Sequence, residues 1–422
     1  MSGSSSRYAN EFGTQSLPER PSIDHLKHQA QDLITSGLEA KLSDAQYRIA
    51  MRYGYDSWPK LKKYVETLTL SGELKTAIDR GDYDHVRELM MKHPHLHQAP
   101  IGYNKNGPLT WVAECRIPRV APSRERLALA EWMIENGTDV HQGGDGPLMR
   151  AALDDDRIAM MELLVKHGAD VNALWNGHYP IIFAPCETLA PASLKWLLDH
   201  GADPDLHTER FGSPVAMLIA TYARNAKGRA ACLRVFVEAG NALPDTAPMA
   251  LAQGRLDLLG ALLKRDADLL SRHFAYDDVF PSVLGIKAGE GLTFTPLDGS
   301  TLLHQAVEFD DLESVVWLLE NGADPSVRAG VDADGFGGQT PLHHTVVCGR
   351  KTDCARILLE HGANPNARAT FRKQLADMGE PEKEGMFEFH DASPIAYARG
   401  YQAPEFVNEA AVEAIARAGG GI

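Results

Sequence analysis

The chain has 422 residues, a net charge of −15, and 44% hydrophobic but only 7% aromatic side chains. That balance argues against sequence-independent binding to nucleic acid, because phosphate recognition needs clustered Lys and Arg. No apolar run approaches the roughly 18 residues of a membrane-spanning helix, and the start, MSGSSSRYANEFG, lacks the segments of a secretory signal. Five cysteines (Cys115, Cys186, Cys232, Cys348, Cys354) form no disulfide framework. Reduced thiols in a cytoplasmic protein are expected.

Residues 1–17 are Ser-rich and polar, and disorder is expected there. From residue 18 to 72 the apolar spacing predicts a helical module. Ile23, Leu26, Ala30, Leu33 and Ile34 mark a first helix. Ser43 is placed to cap a second, carrying Ala45, Ile49 and Ala50 and closed by Gly54. Ser57-Trp58-Pro59 opens a third, with Leu61, Tyr64, Val65 and Leu68. Such a module would cover the apolar end of the segment beyond residue 72.

That segment is repetitive. LLVKHGADVNA ends at Ala173, LLDHGADPDL at Leu206, LLENGADPSV at Val327 and LLEHGANPNA at Ala367. Thr340-Pro341-Leu342-His343 and Thr301-Leu302-Leu303-His304 stand upstream of the last two. A period of about 33 residues means one two-helix unit stacked along an axis. The Gly of each phrase supplies the positive φ that ends a helix, and Thr-Pro suits a helix start. About nine units span residues 73–420. Their starts fall near residues 73, 107, 146, 177, 212, 246, 299, 338 and 391.

TPLHHTVVCGRKTDCARILLEHGANPNA resembles an ankyrin repeat in its turn, helix start, helix end and loop together. The stretch LPERPSIDHLKHQAQDL with LSDAQYRIAMRYGYDSWPKLKKYVE resembles the helical leader of some bacterial ankyrin-repeat proteins. The resemblance implies an all-α ankyrin solenoid that acts as an interaction scaffold. It also implies that His304 and His343 hydrogen-bond within their repeats. Two stretches depart from the pattern, 271–298 and 368–390, and are read as insertions. Their aromatics (Phe274, Tyr276, Phe280; Phe371, Phe387, Phe389) would cover the concave groove or pack on the body.

No phosphate-cradling loop, HExxH, GxSxG or paired CxxC is present, and no cofactor or metal is expected. His93, His95 and His97 alternate in a Pro-containing loop, a poor tetrahedral site. Asp332-Ala-Asp334-Gly335 opens like a calcium loop but lacks its later ligands, so a polar turn is expected.

The residue just after the TPLH histidine faces the groove in the family. In this chain that position holds Trp111, Arg150, Phe183, Met217, Met249, Gln305, His344 and Tyr397. One turn on stand Glu114, Glu187 and Glu308. An apolar and aromatic stripe with Arg and His reads as a binding surface. The loops between units add Tyr103, Asn104, Trp175, His178, Tyr179, His207, Arg210, Phe211 and Phe336. The first reading is a scaffold gripping a protein or peptide. The alternative is an enzyme or small-molecule binder with a pocket between the groove and the insertions. There His344, Glu308 and Glu187 would move protons, and Arg150 would hold an anion.

Overall fold

A computed structural model describes residues 15–18, 21–101, 106–115, 120–209, 211–284, 297–347, 351–375 and 385–422. The expected disorder of residues 1–17 therefore falls almost wholly outside the described residues. The chain forms two compact units: Met1–Ala151 with Ala159–Ala169, and Ala152–Ile158 with Asp170–Ile422.

In the first unit, α1 (Ile23–Thr35), α2 (Leu42–Arg52) and α3 (Trp58–Arg80) enclose a small core of Leu26, Ala30, Leu33, Ala45, Ile49, Ala50, Leu61 and Val65. Ser57 accepts a hydrogen bond from the N–H of Lys60 at 3.4 Å, and Pro59 lies in the first turn, as its sequence position requires. Ser43 does not cap α2. That helix begins one residue earlier, and the Ser43 hydroxyl turns to the Asp44 carboxylate. Helix α3 runs unbroken past position 72 to a left-handed Gly81, joining the leader to the helices beyond it.

Those helices come in pairs. In the first unit they are α4 (Tyr83–Lys92), which pairs with the end of α3, α5 (Pro108–Glu114) with α6 (Arg124–Glu135), and α7 (Gln142–Ala151) with α8 (Ile158–Lys166). Helix α7 starts through three left-handed residues, Gly143, Gly144 and Asp145. His97 is buried with Nδ1 2.5 Å from the Thr138 hydroxyl, so this one of the three alternating histidines supplies an internal tie.

In the second unit the pairs are α9 (Phe183–Thr188) and α10 (Pro191–Asp199), α11 (Pro214–Ala220) and α12 (Ala226–Glu238), and α13 (Ala247–Ala252) and α14 (Leu256–Leu263). The short α15 (Tyr276–Val279) precedes α16 (Leu302–Glu308) and α17 (Leu312–Glu320), then α18 (Pro341–Thr345) and α19 (Thr352–Glu360), and α20 (Pro394–Arg399) and α21 (Glu409–Arg417).

The recurring phrase explains the stacking. Gly168, Gly201, Gly322 and Gly362 all take positive φ. The residue four before each, Leu164, Leu197, Leu318 or Leu358, is buried between helices. The loop Asn after the glycine reaches onward: Asn172 Nδ2 donates to the Gly201 carbonyl, and Asn366 Nδ2 to that of Gly419, both at 2.9 Å.

The fold is mostly helical but not all-α. A short pair, β1 (Leu174–Trp175) and β2 (Tyr179–Pro180), flanks Asn176-Gly177-His178, where Asn176 and Gly177 are left-handed. At the described ends of the stretch 368–390, β3 (Ala369–Leu375) and β4 (Gly385–Ala392) pair as an antiparallel hairpin, with Phe371 opposite Phe389. Phe371 and Lys373, and Phe387 and Phe389, each lie two residues apart and share a strand face, a spacing that the helical context hid. Phe371 and Phe389 turn inward onto Tyr397, at 4.8 and 4.7 Å between ring centroids. Phe274 and Phe280 of the earlier stretch are likewise buried. Four of the six aromatics therefore pack on the body, and Tyr276 and Phe387 are half-buried.

Candidate binding site

The aligned inner-helix positions are not an exposed stripe. Trp111, Phe183, Met217, Met249, Gln305, His344 and Tyr397 are all buried, and Arg150 nearly so. Sequence alignment sets these side chains against solvent, whereas they lie along the stack and are covered by neighbouring elements. Trp111 donates its indole N–H to Asp79 at 2.7 Å and sits under Lys75. Phe183 meets Tyr179 and Phe211 edge-on at 5.7 and 6.4 Å.

The carboxylates one turn on explain the polar members of the stripe. Glu114 lies 4.0 Å from Arg150, the inner-helix residue of the next helix pair. Glu187 accepts from the phenols of Tyr179 (2.5 Å) and Tyr222 (2.9 Å). Glu308 accepts from Nδ1 of His344 at 3.1 Å, again in the next pair. Each carboxylate closes a tie between consecutive pairs.

The tie at Glu308 is the most elaborate. Its Oε2 also receives the Lys351 ammonium at 2.9 Å, and its Oε1 receives Nε and a terminal nitrogen of Arg224 at 3.1 and 2.5 Å. Lys351 has no exposed side-chain surface and donates further to the His344 carbonyl at 2.8 Å. Burial alone would raise the Glu308 carboxyl, but the charges of Lys351 and Arg224 with the His344 hydrogen bond outweigh it and hold it well below the usual range. Burial lowers His344, so its imidazole is neutral at pH 7, and since a carboxylate only accepts, the ring proton sits on Nδ1. The expected Glu308–His344 contact is thus present. A carboxylate so firmly held is a weak base, however, and the pair is poorly poised for proton transfer. Sequence reasoning missed Lys351 and Arg224 because a Lys or Arg in a turn ordinarily reads as solvated.

His304 and His343 act as expected and also reach beyond their own units. Nδ1 of His343 accepts the Thr340 N–H at 3.0 Å, and Nε2 donates to the Ala392 carbonyl at 3.0 Å. His304 does the same between Thr301 and Gln339. Burial lowers His343 to about 4 and His304 to about 3, fixing both as neutral rings.

Loop tips present the accessible side chains. Trp175 is half-buried, packed edge-on against Tyr179 at 5.9 Å, while His178 at the turn is exposed. Tyr179 and Phe211 are buried beneath it and His207 is exposed. Tyr103, Asn104 and Arg210 lie outside the described residues. Phe336 is half-buried under the Arg372 guanidinium at 3.7 Å, beyond the polar turn that Asp332 makes by accepting the N–H groups of Asp334 and Phe336.

A family model for ankyrin repeats in three copies matches residues 276–369, and a single-repeat ankyrin model matches 143–176. The chain carries ankyrin repeats. The three-copy match begins at Tyr276, inside the stretch read as an insertion, so α15 belongs to the matched ankyrin span. Within the matched span, α16 and α18 carry His304, Glu308, His343 and His344, and Lys351 stands between α18 and α19. No curated protein matches the chain. Among the described residues no helix is long and apolar enough to cross a membrane.

Proposed function

We propose that the chain is an interaction scaffold of about nine ankyrin units that binds a protein or peptide partner, using its loop tips with the groove positions behind them. Ankyrin repeats are generally protein-interaction modules. The observation that carries the reading here is the β1–β2 tip. An exposed His178 and a half-buried Trp175 are mounted on buried Tyr179, Phe183 and Phe211. A rigid, partly apolar tip loses little entropy on binding, which is what an anchor needs. The acidic chain disfavours nucleic acid as partner, and buried thiols such as Cys186 and Cys232, both raised by burial, suit the cytoplasm.

The test is a phage-displayed peptide selection on the immobilised chain. Selected peptides should bind about tenfold more weakly to Trp175→Ala or His178→Ala. They should bind equally to Glu413→Gln, at an exposed position on α21. Absence of enrichment over an unrelated acidic protein, or affinity indifferent to both tip substitutions, overturns the reading.

A further inference from the structure

The loops of the second unit frame a half-open hollow of about 380 Å³ to which both unusual stretches contribute, His273 and Phe274 from one, Phe371 and Arg372 from the other. Two of its three aromatic lining residues are buried, Phe274 at 6% and Phe371 at 4% exposed, and Phe336 is half-buried. One wall is fixed by backbone. Gly337 donates its N–H to the Thr370 carbonyl at 2.6 Å, and a Cβ there would stand 2.0 Å from the Gly330 oxygen. Only glycine fits, and the turn that carries Asp332 is held in place.

The charges at this hollow are one-sided. Among the described residues that line it, Asp298 and Asp332 stand against one arginine, Arg372, and no lysine, with His273 beside them. The arginine is already engaged: its Nε lies 3.3 Å from Glu388, and a terminal nitrogen 3.3 Å from Asp334 and 3.6 Å from Asp332. Its face covers Phe336. An anion entering the hollow would compete with three carboxylates for Arg372, whereas a cation would meet carboxylates in excess.

A further group points the same way. Gln339 lines the hollow, is 5% exposed, and its side-chain Oε1 has no hydrogen-bond donor. Its backbone carbonyl is used by His304, but its side-chain oxygen is not. A buried amide oxygen without a partner is costly and is normally satisfied. The oxygen has almost no accessible surface, so a ligand N–H would satisfy it only with a small shift of the lining.

We infer that this hollow receives a basic side chain, an arginine or lysine, of the protein or peptide partner, its stem against Phe274 and Phe371, its charge between Asp298 and Asp332, and an N–H on Gln339. The inference rests on the partner reading above and names the chemistry of one anchor. Arginine fits better, because a planar fork can donate to a carboxylate and an amide at once.

The test uses the full chain and three capped amino acids, N-acetyl-arginine amide, N-acetyl-citrulline amide and N-acetyl-glutamate amide, followed by saturation-transfer NMR. Saturable binding of the arginine probe is expected, with citrulline, its uncharged counterpart, at least about tenfold weaker and glutamate absent. Gln339→Met and the double change Asp298→Asn with Asp332→Asn should each weaken the arginine probe about tenfold. The Asn variants keep the oxygens that accept the Tyr276, Asp334 and Phe336 N–H groups, so they test charge without dismantling the loops. Equal binding of citrulline, or full binding by both variants, overturns the inference. If the arginine probe binds but no peptide is ever selected, the partner reading fails and the pocket stands. Selected peptides that carry no basic residue and are not displaced by the arginine probe sink the pocket alone.

Discussion

The ammonium of Lys351, with no exposed side-chain surface, stands 2.9 Å from Oε2 of Glu308, a residue of the preceding helix pair. A buried ion pair contributes little net stability when whole, because desolvation offsets the attraction, but losing one member strands the other. Glu308→Gln leaves Lys351 buried beside a neutral amide and removes the charged acceptor of Arg224. We expect a loss of about 3–5 kcal/mol in urea unfolding. Lys351→Met should cost less, because Arg224 and His344 still hold the carboxylate. Equal costs for the two substitutions would show that the carboxylate is not the hub.

The buried histidines make the fold sensitive to mild acid. His304 and His343 are lowered to about 3 and about 4 in the folded chain, whereas an unfolded histidine titrates at about 6.5. Below that value the unfolded chain binds protons that the folded chain refuses. Stability is therefore complete above about pH 6.5 and falls as pH drops toward 4. From pH 7 to 5 each ring should cost on the order of 2 kcal/mol. Glu308, held down rather than up, adds its loss only below the ordinary glutamate range. Urea midpoints at the two pH values measure this, and a midpoint no lower at pH 5 would refute it.

Phe389 stacks on Phe371 at 5.4 Å and meets Tyr397 edge-on, so it fastens the β3–β4 hairpin to α20. Phe389→Ala should cost about 3 kcal/mol. The loss should be local, with faster amide exchange in 369–375 and 385–392 while α16 keeps its protection. Uniform acceleration across the second unit would mean that the hairpin is part of the repeat core.

Arg229 is 3% exposed, its Nε has no partner, and its guanidinium lies 3.9 Å over the Phe309 ring. Burial lowers it to about 10, still charged at pH 7. A desolvated cation compensated mainly by a ring face and the charge of Asp311 is a poor use of a core position. Arg229→Met should raise stability by about 1–2 kcal/mol. A lowered unfolding midpoint would show that the cation–π contact outweighs the desolvation.

The repeat mechanics are legible in the sequence because they are local. A glycine at the helix end, a leucine four residues earlier and a Thr-x-x-His start each act within a few residues, and all appear where the phrase places them. The site is less legible. Trp111, Phe183 and Tyr397 lie on the first helix of their pairs, but their exposure does not follow from alignment, since whether such a side chain meets water depends on what the next pair lays over it. The β3–β4 hairpin is hidden by the helical pattern on either side.

By itself, then, the sequence determined the repeating unit and the residues that would stand at equivalent positions. Periodicity carries that information from one turn to the next. Only the tertiary structure decided that Lys351 and Arg224, far apart in the chain and unremarkable in their turns, converge on Glu308, and that the Gln339 side-chain oxygen is left without a donor beside Asp298 and Asp332. Those are properties of enclosure. Burial and the balance of charge around an atom are set by residues that sequence spacing does not bring together.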